Sequence, residues 1–376
     1  MKNPFLNKEF GLYIHIPFCA KKCFYCAFNL FILKDIPEEK YLNKLIEELN
    51  NYKIHNFRTI YIGGGTPNLL SNDFYKKLFS HLNLTNIEEV TIELNPEFVT
   101  KEQIDFYKYL GVNRFSLGIQ TFDSDGLISL NRNHINKDAY RAIDILKDEN
   151  FSFDLIYGYP TQTMKSLLYD LEEIKKISPK HLSIYNLSYE DGSFFSHWKK
   201  KGKLTPLDDS IEVEMYQIII KELKDIDLIQ YEISNFSKEN YQSIHNNLYW
   251  TSYPYIGIGA GAHSFYYENK HIIRSIKEKK LNKYLNNDKI EFKTELTKED
   301  YIFDKFYSEM RKMYINHKLF YLETDFDIYK IFKENFSSKF YQKYLTIDEN
   351  YIKFTKYGVI NSDSIFEHFF TFIFKD

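Results

Sequence analysis

The chain has 376 residues, a formal net charge of −3 and a hydrophobic content of 44%. That length exceeds a usual single domain and can bury a sizeable core, so one large domain and a smaller one are expected. The near-neutral charge gives no support for nucleic-acid binding, and no apolar run reaches the ~18 residues needed to span a bilayer. The N-terminus lacks the basic, apolar, then small-residue pattern of a signal peptide. Three cysteines, all clustered, fit a reducing compartment, so a cytoplasmic protein is expected. Peripheral membrane contact and pairing as a homodimer stay open.

Residues 12–16 read as a first strand that runs into the cysteines. Leu42, Leu45, Ile46 and Leu49 follow at helical spacing, with Pro37 near the helix start. Residues 59–62 form a strand entering Gly63-Gly64-Gly65-Thr66-Pro67, and a helix opening near Ser71 carries Phe74, Leu78 and Leu82. Residues 90–94 are the third strand. Thr100 and Gln103 then have the spacing of a capping box, and Gly111 stands where a helix C-terminus would place it. Residues 114–119, 153–157 and 181–185 are further strands, separated by helices that carry Ala139, Ala142, Ile143 and Leu146, then Leu167, Leu171 and Ile174. Six strand–helix units predict a parallel sheet with right-handed crossovers, too short for a closed eight-fold barrel but suited to an open one. Residues 199–206 read as a linker before a helix carrying Ile211, Met215, Ile219 and Leu223. Lys199 to Lys201 and Lys277 to Lys280 read as solvated faces, and the glycines at 257–261 as a site of tight backbone packing.

Cys19, Cys23 and Cys26 are the only cysteines, spaced C-x3-C-x2-C directly after the first strand. Three thiolates so close can wrap one inorganic cluster, whereas a closed zinc site would need a fourth ligand. His15 precedes them on a strand and is a poor candidate for that place. The spacing favours a 4Fe–4S cluster with one iron left for a small molecule, over zinc or unrelated buried cysteines. In parallel α/β folds the site gathers at the C-terminal ends of the strands. Here those ends carry the cysteines, Gly63 to Thr66, Glu93 to Asn95, Gly118 to Gln120, Asp154, and Tyr185-Asn186.

Tyr13-Ile-His-Ile-Pro-Phe-Cys19, with Cys23, Tyr25, Cys26 and the Gly63 to Pro67 loop, resembles the radical S-adenosylmethionine enzymes. The resemblance implies that the three cysteines hold a 4Fe–4S cluster whose fourth iron takes the methionine end of S-adenosylmethionine. It also implies cofactor contacts from Tyr13, Tyr25, Gly64, Gly65, Thr66, Glu93, Gln120, Arg132 and Asp154. The motifs at 114–120, 130–134 and 154–163 are similar to the coproporphyrinogen III dehydrogenase group, and this likeness covers nearly the whole chain. Two branches of that group differ in ways this chain can be read against. The dehydrogenase branch has a fourth cysteine two places after the third and a long N-terminal extension; here Phe28 stands in that place and 18 residues precede Cys19. The heme-chaperone branch has Phe there and carries H-N-x-x-Y-W, present as His245-Asn246-Asn247-Leu248-Tyr249-Trp250.

This resemblance implies an α/β fold: a partial (βα)6 barrel of the radical SAM type over residues 1–200, a connecting region over 201–288, and a small winged-helix-like domain over 289–376. It implies a heme chaperone that passes heme to an acceptor such as a respiratory cytochrome, with heme contacts from His245, Tyr249 and Trp250. A neutral imidazole is a common axial ligand and aromatic rings pack on a porphyrin face. The residues alone favour a buried histidine satisfied by a backbone carbonyl beside aromatic core residues. The alternative activity is that of an oxygen-independent coproporphyrinogen III dehydrogenase, an oxidoreductase that oxidatively decarboxylates propionates.

Overall fold

In strand β1 (Phe10–Ile16), Leu12, Ile14 and Ile16 are wholly buried on one face, while Tyr13 and His15 point to the other. The computed structural model describes residues 4–5, 8–52, 57–287, 289–335 and 339–373. After β1 come α1 (Glu38–Asn51), β2 (Phe57–Gly64), α2 (Asn72–Phe79), β3 (Glu89–Leu94), α3 (Lys101–Tyr109) and β4 (Arg114–Gln120). Then follow α4 (Ser124–Ser129), α5 (Asn136–Leu146), β5 (Phe151–Tyr157), α6 (Met164–Ile177) and β6 (His181–Asn186). Strands β1 to β6 pair in order and in parallel. The helices lay their apolar stripes on the outer face: Leu42, Leu45 and Leu49 from α1, Ala139, Ala142 and Leu146 from α5, Leu167, Leu171 and Ile174 from α6.

Beyond β6 lie α7 (Phe194–Lys200), α8 (Asp209–Lys224), β7 (Ile229–Gln230), β8 (Asn235–Ser237), α9 (Ile244–Trp250), β9 (Tyr255–Ile258), β10 (His263–Glu268), β11 (His271–Lys277), α10 (Leu281–Asn286) and β12 (Glu291–Glu295). These strands extend the same sheet, in the order β12-β11-β10-β9-β1-β2-β3-β4-β5-β6-β8-β7. β9 runs parallel to β1, and β10, β11 and β12 continue antiparallel. With β12 at one end and β7 at the other, the sheet is an open, partial barrel, as expected. The chain closes with α11 (Lys298–Met310), β13 (Tyr314–Asn316), α12 (His317–Thr324), α13 (Ile328–Asn335), α14 (Lys339–Tyr344), β14 (Leu345–Ile347), β15 (Tyr351–Phe354), α15 (Lys356–Ile360) and α16 (Ser362–Ile373). Its three strands form a separate sheet, β13-β15-β14, over a core of Phe306, Phe320, Phe332 and Phe369. Helices followed by a β-hairpin make this unit winged-helix-like.

Several local expectations need correction. The helix from Ser71 stops at Phe79, short of Leu82. At α3 the capping box is only half formed: Thr100 accepts from the Gln103 amide at 3.2 Å, but the Gln103 side chain donates to the Asn68 carbonyl at 3.1 Å instead. Lys199 and Lys200 lie in α7, not in a linker. Lys277 is buried; its ammonium meets the Glu48 carboxylate at 2.9 Å and the Tyr52 hydroxyl at 3.0 Å. An unpaired charge there would be strongly destabilising, so the pair exists as a unit.

Candidate functional site at the barrel rim

The cysteine loop leaves β1 and is tied at its neck. The Phe31 amide donates to the Pro17 carbonyl at 2.6 Å, and the Cys19 amide to the Phe31 carbonyl at 3.1 Å. Its far end is fixed by Phe24, whose ring packs edge-on to Trp198 at 4.8 Å and close to Phe194 and Phe195 of α7. The turn after α4 holds the middle: Asn131, in the left-handed region, donates to the Lys22 carbonyl at 2.8 Å, and the Phe24 amide donates to Leu130. The three cysteines are free and half-buried. Burial pushes the Cys19 thiol up to about 11 and raises Cys26. Among the described residues, no three Cys, His, Asp or Glu side chains are gathered at metal-coordinating distance.

The glycine loop after β2 grips this loop through its backbone. The Gly65 and Thr66 amides donate to the Ile16 and Phe18 carbonyls at 2.7 and 2.8 Å. A Cβ on Gly65 would stand 2.6 Å from the Phe18 carbonyl, and Gly64 adopts φ +114°, so side chains are excluded from both. The Thr66 hydroxyl points at Cys19 Sγ at 3.5 Å. Arg132 reaches Cys23 Sγ at 3.3 Å and the Tyr25 hydroxyl at 3.4 Å, and is anchored on the Gly118 carbonyl at 2.7 Å and Asn95 at 3.3 Å. Its charge works against the rise at Cys19 and Cys26 without overcoming burial.

Deeper in the barrel, Glu93 accepts from the Tyr61 hydroxyl at 2.8 Å and the Gly64 amide at 2.9 Å. Burial nevertheless pushes its carboxyl up to about 7, and Asp154 adds to the rise. Asp154, facing Ser116 at 3.4 Å, is pushed up to about 6, again by burial. Gln120 sits at a β-bulge with φ +73°, a strained setting for a residue with a side chain. Tyr13 donates to His15 at 2.9 Å, and the other ring nitrogen of His15 meets the Asn29 carbonyl at 2.9 Å. Two buried carboxylates with raised proton affinity make this a setting for a cationic ligand.

The His245 segment lies elsewhere. α9 sits at the N-terminal ends of the strands, where the Glu89 carboxylate accepts from the Ile244 and His245 amides at 3.1 and 2.9 Å. The expected heme ligand His245 is wholly buried: Nδ1 meets Thr59 Oγ1 at 2.7 Å, Nε2 meets the Tyr249 hydroxyl at 2.8 Å, and the ring lies against Tyr61. Burial lowers its pKa to about 3. With both nitrogens engaged, this imidazole does not face a ligand in the structure. Tyr249 and Trp250 do line an open space, a cavity of about 560 Å³ that also reaches Tyr13, His15 and Phe28. The arrangement thus brings fourteen expected residues or their backbones to one rim and wall and leaves His245 behind them. Sequence reasoning missed Tyr61 and the Phe24–Trp198 clamp; it put Asn95 at a strand end on the rim but not its role in anchoring Arg132.

The Radical SAM superfamily matches residues 13–174. A protein named heme chaperone HemW from Buchnera aphidicola of Schizaphis graminum is 35% identical over 91% of this chain and 88% of its own length. The HemW of Escherichia coli is 31% identical, covering 96% of this chain and 97% of its own length. The chain belongs to the HemW heme-chaperone family. The solved structure of Escherichia coli coproporphyrinogen III oxidase, HemN, described as a radical SAM enzyme, has TM-score 0.80 over 97% of this chain and 90% of that one. At 20% identity, that likeness speaks for the fold alone. No helix among the described residues is long and apolar enough to cross a membrane.

Proposed function

We propose that this chain binds heme and hands it to an acceptor protein, on a scaffold whose rim holds a 4Fe–4S cluster and S-adenosylmethionine. One observation carries the reading: relatives named heme chaperone HemW align with nearly the whole chain at 31–35% identity. Cys19, Cys23 and Cys26 would hold the cluster. Bound there, the cluster would supply one-electron chemistry. Glu93 and Asp154 would offer carboxylates to the cofactor, Gly64 and Gly65 would let the backbone approach its methionine end, and Tyr13, Tyr25, Thr66, Gln120 and Arg132 would border it. The donor set supports this assignment, because half-buried thiols and buried carboxylates gather in one place, with Arg132, and for Asp154 also Arg114, as nearby cations.

The test is anaerobic titration of the cluster-reconstituted protein with ferric heme. A saturable Soret shift near one heme per chain is expected; its absence overturns the reading. A second arm adds reduced cluster, S-adenosylmethionine and coproporphyrinogen III. Protoporphyrinogen in that mixture would replace the chaperone by the dehydrogenase reading.

A further inference from the structure

We propose that heme seats in the cavity beside the cysteine loop with His263 as its axial ligand, the H-N-x-x-Y-W segment furnishing the wall and not the ligand. The inference rests on the heme-chaperone reading and adds the place and the ligating atom. The cavity, about 560 Å³, is within the ~300–1,000 Å³ of small-molecule sites. Its walls are aromatic: Phe28, Tyr249, Trp250, Tyr255, Phe265 and Tyr307. They are braced from behind, by Arg311 stacked on Trp250 at 5.1 Å and by Tyr255 edge-on to Tyr249 at 4.7 Å. Flat apolar surfaces of this kind suit a planar macrocycle.

Two histidines line the cavity, and only one is available. His15 is hydrogen-bonded through both ring nitrogens. His263 is exposed to the cavity, and among the described residues neither of its ring nitrogens has a hydrogen-bond partner. Its backbone is fixed, since it opens β10 directly after the turn that starts at Gly259, where the Lys277 amide donates to the Ala262 carbonyl at 2.8 Å. Burial, and then Lys279 and Arg274, lower its pKa, which keeps the imidazole neutral and its lone pair free. Those two cations also line the cavity, at the right charge for a pair of propionates. Lys279 has no carboxylate partner among the described residues, whereas Arg274 is shared with Asp304 at 2.6 Å. On binding, the His263 lone pair replaces a water on the iron; no electron or proton changes hands. The cavity also borders the cysteine loop, because Asn29 donates to the Ala260 and Lys279 carbonyls at 2.9 and 3.0 Å.

The test uses the full chain with its cluster reconstituted, titrated with ferric heme and read by the Soret band and the low-spin electron paramagnetic resonance signal. His263→Ala is expected to weaken heme at least tenfold and abolish the histidine-ligated signal, with added imidazole restoring it and cluster iron unchanged. His263→Met should exchange the signal for that of a thioether ligand. His245→Gln should retain the histidine-ligated signal. An unaltered low-spin signal in His263→Ala overturns the assignment while leaving the heme reading in place, as does loss of the signal in His245→Gln alone. If the unaltered protein takes up no heme, the functional reading falls and this inference with it. Should His263→Ala lose cluster iron, His263→Met decides: an unchanged histidine signal there overturns the assignment.

Discussion

At Glu93, burial and the neighbouring Asp154 both favour the protonated carboxyl, against the hydrogen bonds from Gly64 and Tyr61. The form that pairs with an ammonium group is the ionised one. Affinity for S-adenosylmethionine should therefore be full above pH 7 and weaken as pH falls through 7, more steeply near 6 as Asp154 takes up its proton. Glu93→Gln should lower the affinity and flatten this dependence; isothermal titration at several pH values measures it. Stability of the ligand-free protein runs the opposite way. A carboxyl whose folded pKa is raised gains stability as pH drops from about 7 toward its ordinary range, because the folded form holds the extra proton. At His245, replacement by Ala leaves Thr59 and Tyr249 without a partner, which should cost about 1–3 kcal/mol per unsatisfied group and lower the melting temperature. The motif around His245 was legible in the sequence, but its partner Thr59 was not. Only folding brings a strand start against a helix so distant in the chain.

Among the elements, the cysteine loop depends on grips from three others. Gly65→Ala would drive a Cβ into the Phe18 carbonyl, a backbone atom that cannot swing aside. Iron and sulfide content after reconstitution should fall sharply, with the circular-dichroism spectrum of the barrel retained. Phe24→Ala removes the ring seated on Trp198 and should cost about 1–2 kcal/mol in loop anchoring, seen as faster amide exchange over the loop. The strand order and most helix stripes could be read from periodicity, because parallel strands buried on both faces are apolar runs between regular helices. The segment at 199–206 could not: its lysines look like a solvated connector, while the packing of Phe195 and Trp198 under the cysteine loop ends a helix there. Lys277 was misread for the same reason. A charge run reports composition, and only the fold supplies the buried Glu48 beneath it.

For the whole molecule, one sheet joins the cysteine loop, the aromatic cavity and α9, so a ligand bound at the rim should stabilise all of them together. Heme at a hundred times its dissociation constant should add about 2.7 kcal/mol and raise the melting temperature by several degrees. A calorimetric scan in which only the winged-helix-like unit responds would contradict that coupling. The open sheet was expected from six strand–helix units; its continuation through β9 to β12 was not, since those strands follow irregular turns with no crossover helices between them. α9 has a further consequence. Latched to Glu89 and packed on β1 and β2 through Gly11 and Thr59, it floors the barrel at the N-terminal ends of its strands. Whatever lies among Glu93, Arg132 and Asp154 then exchanges with solvent past the rim, the same side that the cavity borders. With both places filled, the outer ligand should slow release of the inner one, which stopped-flow release of the cofactor with and without heme would measure.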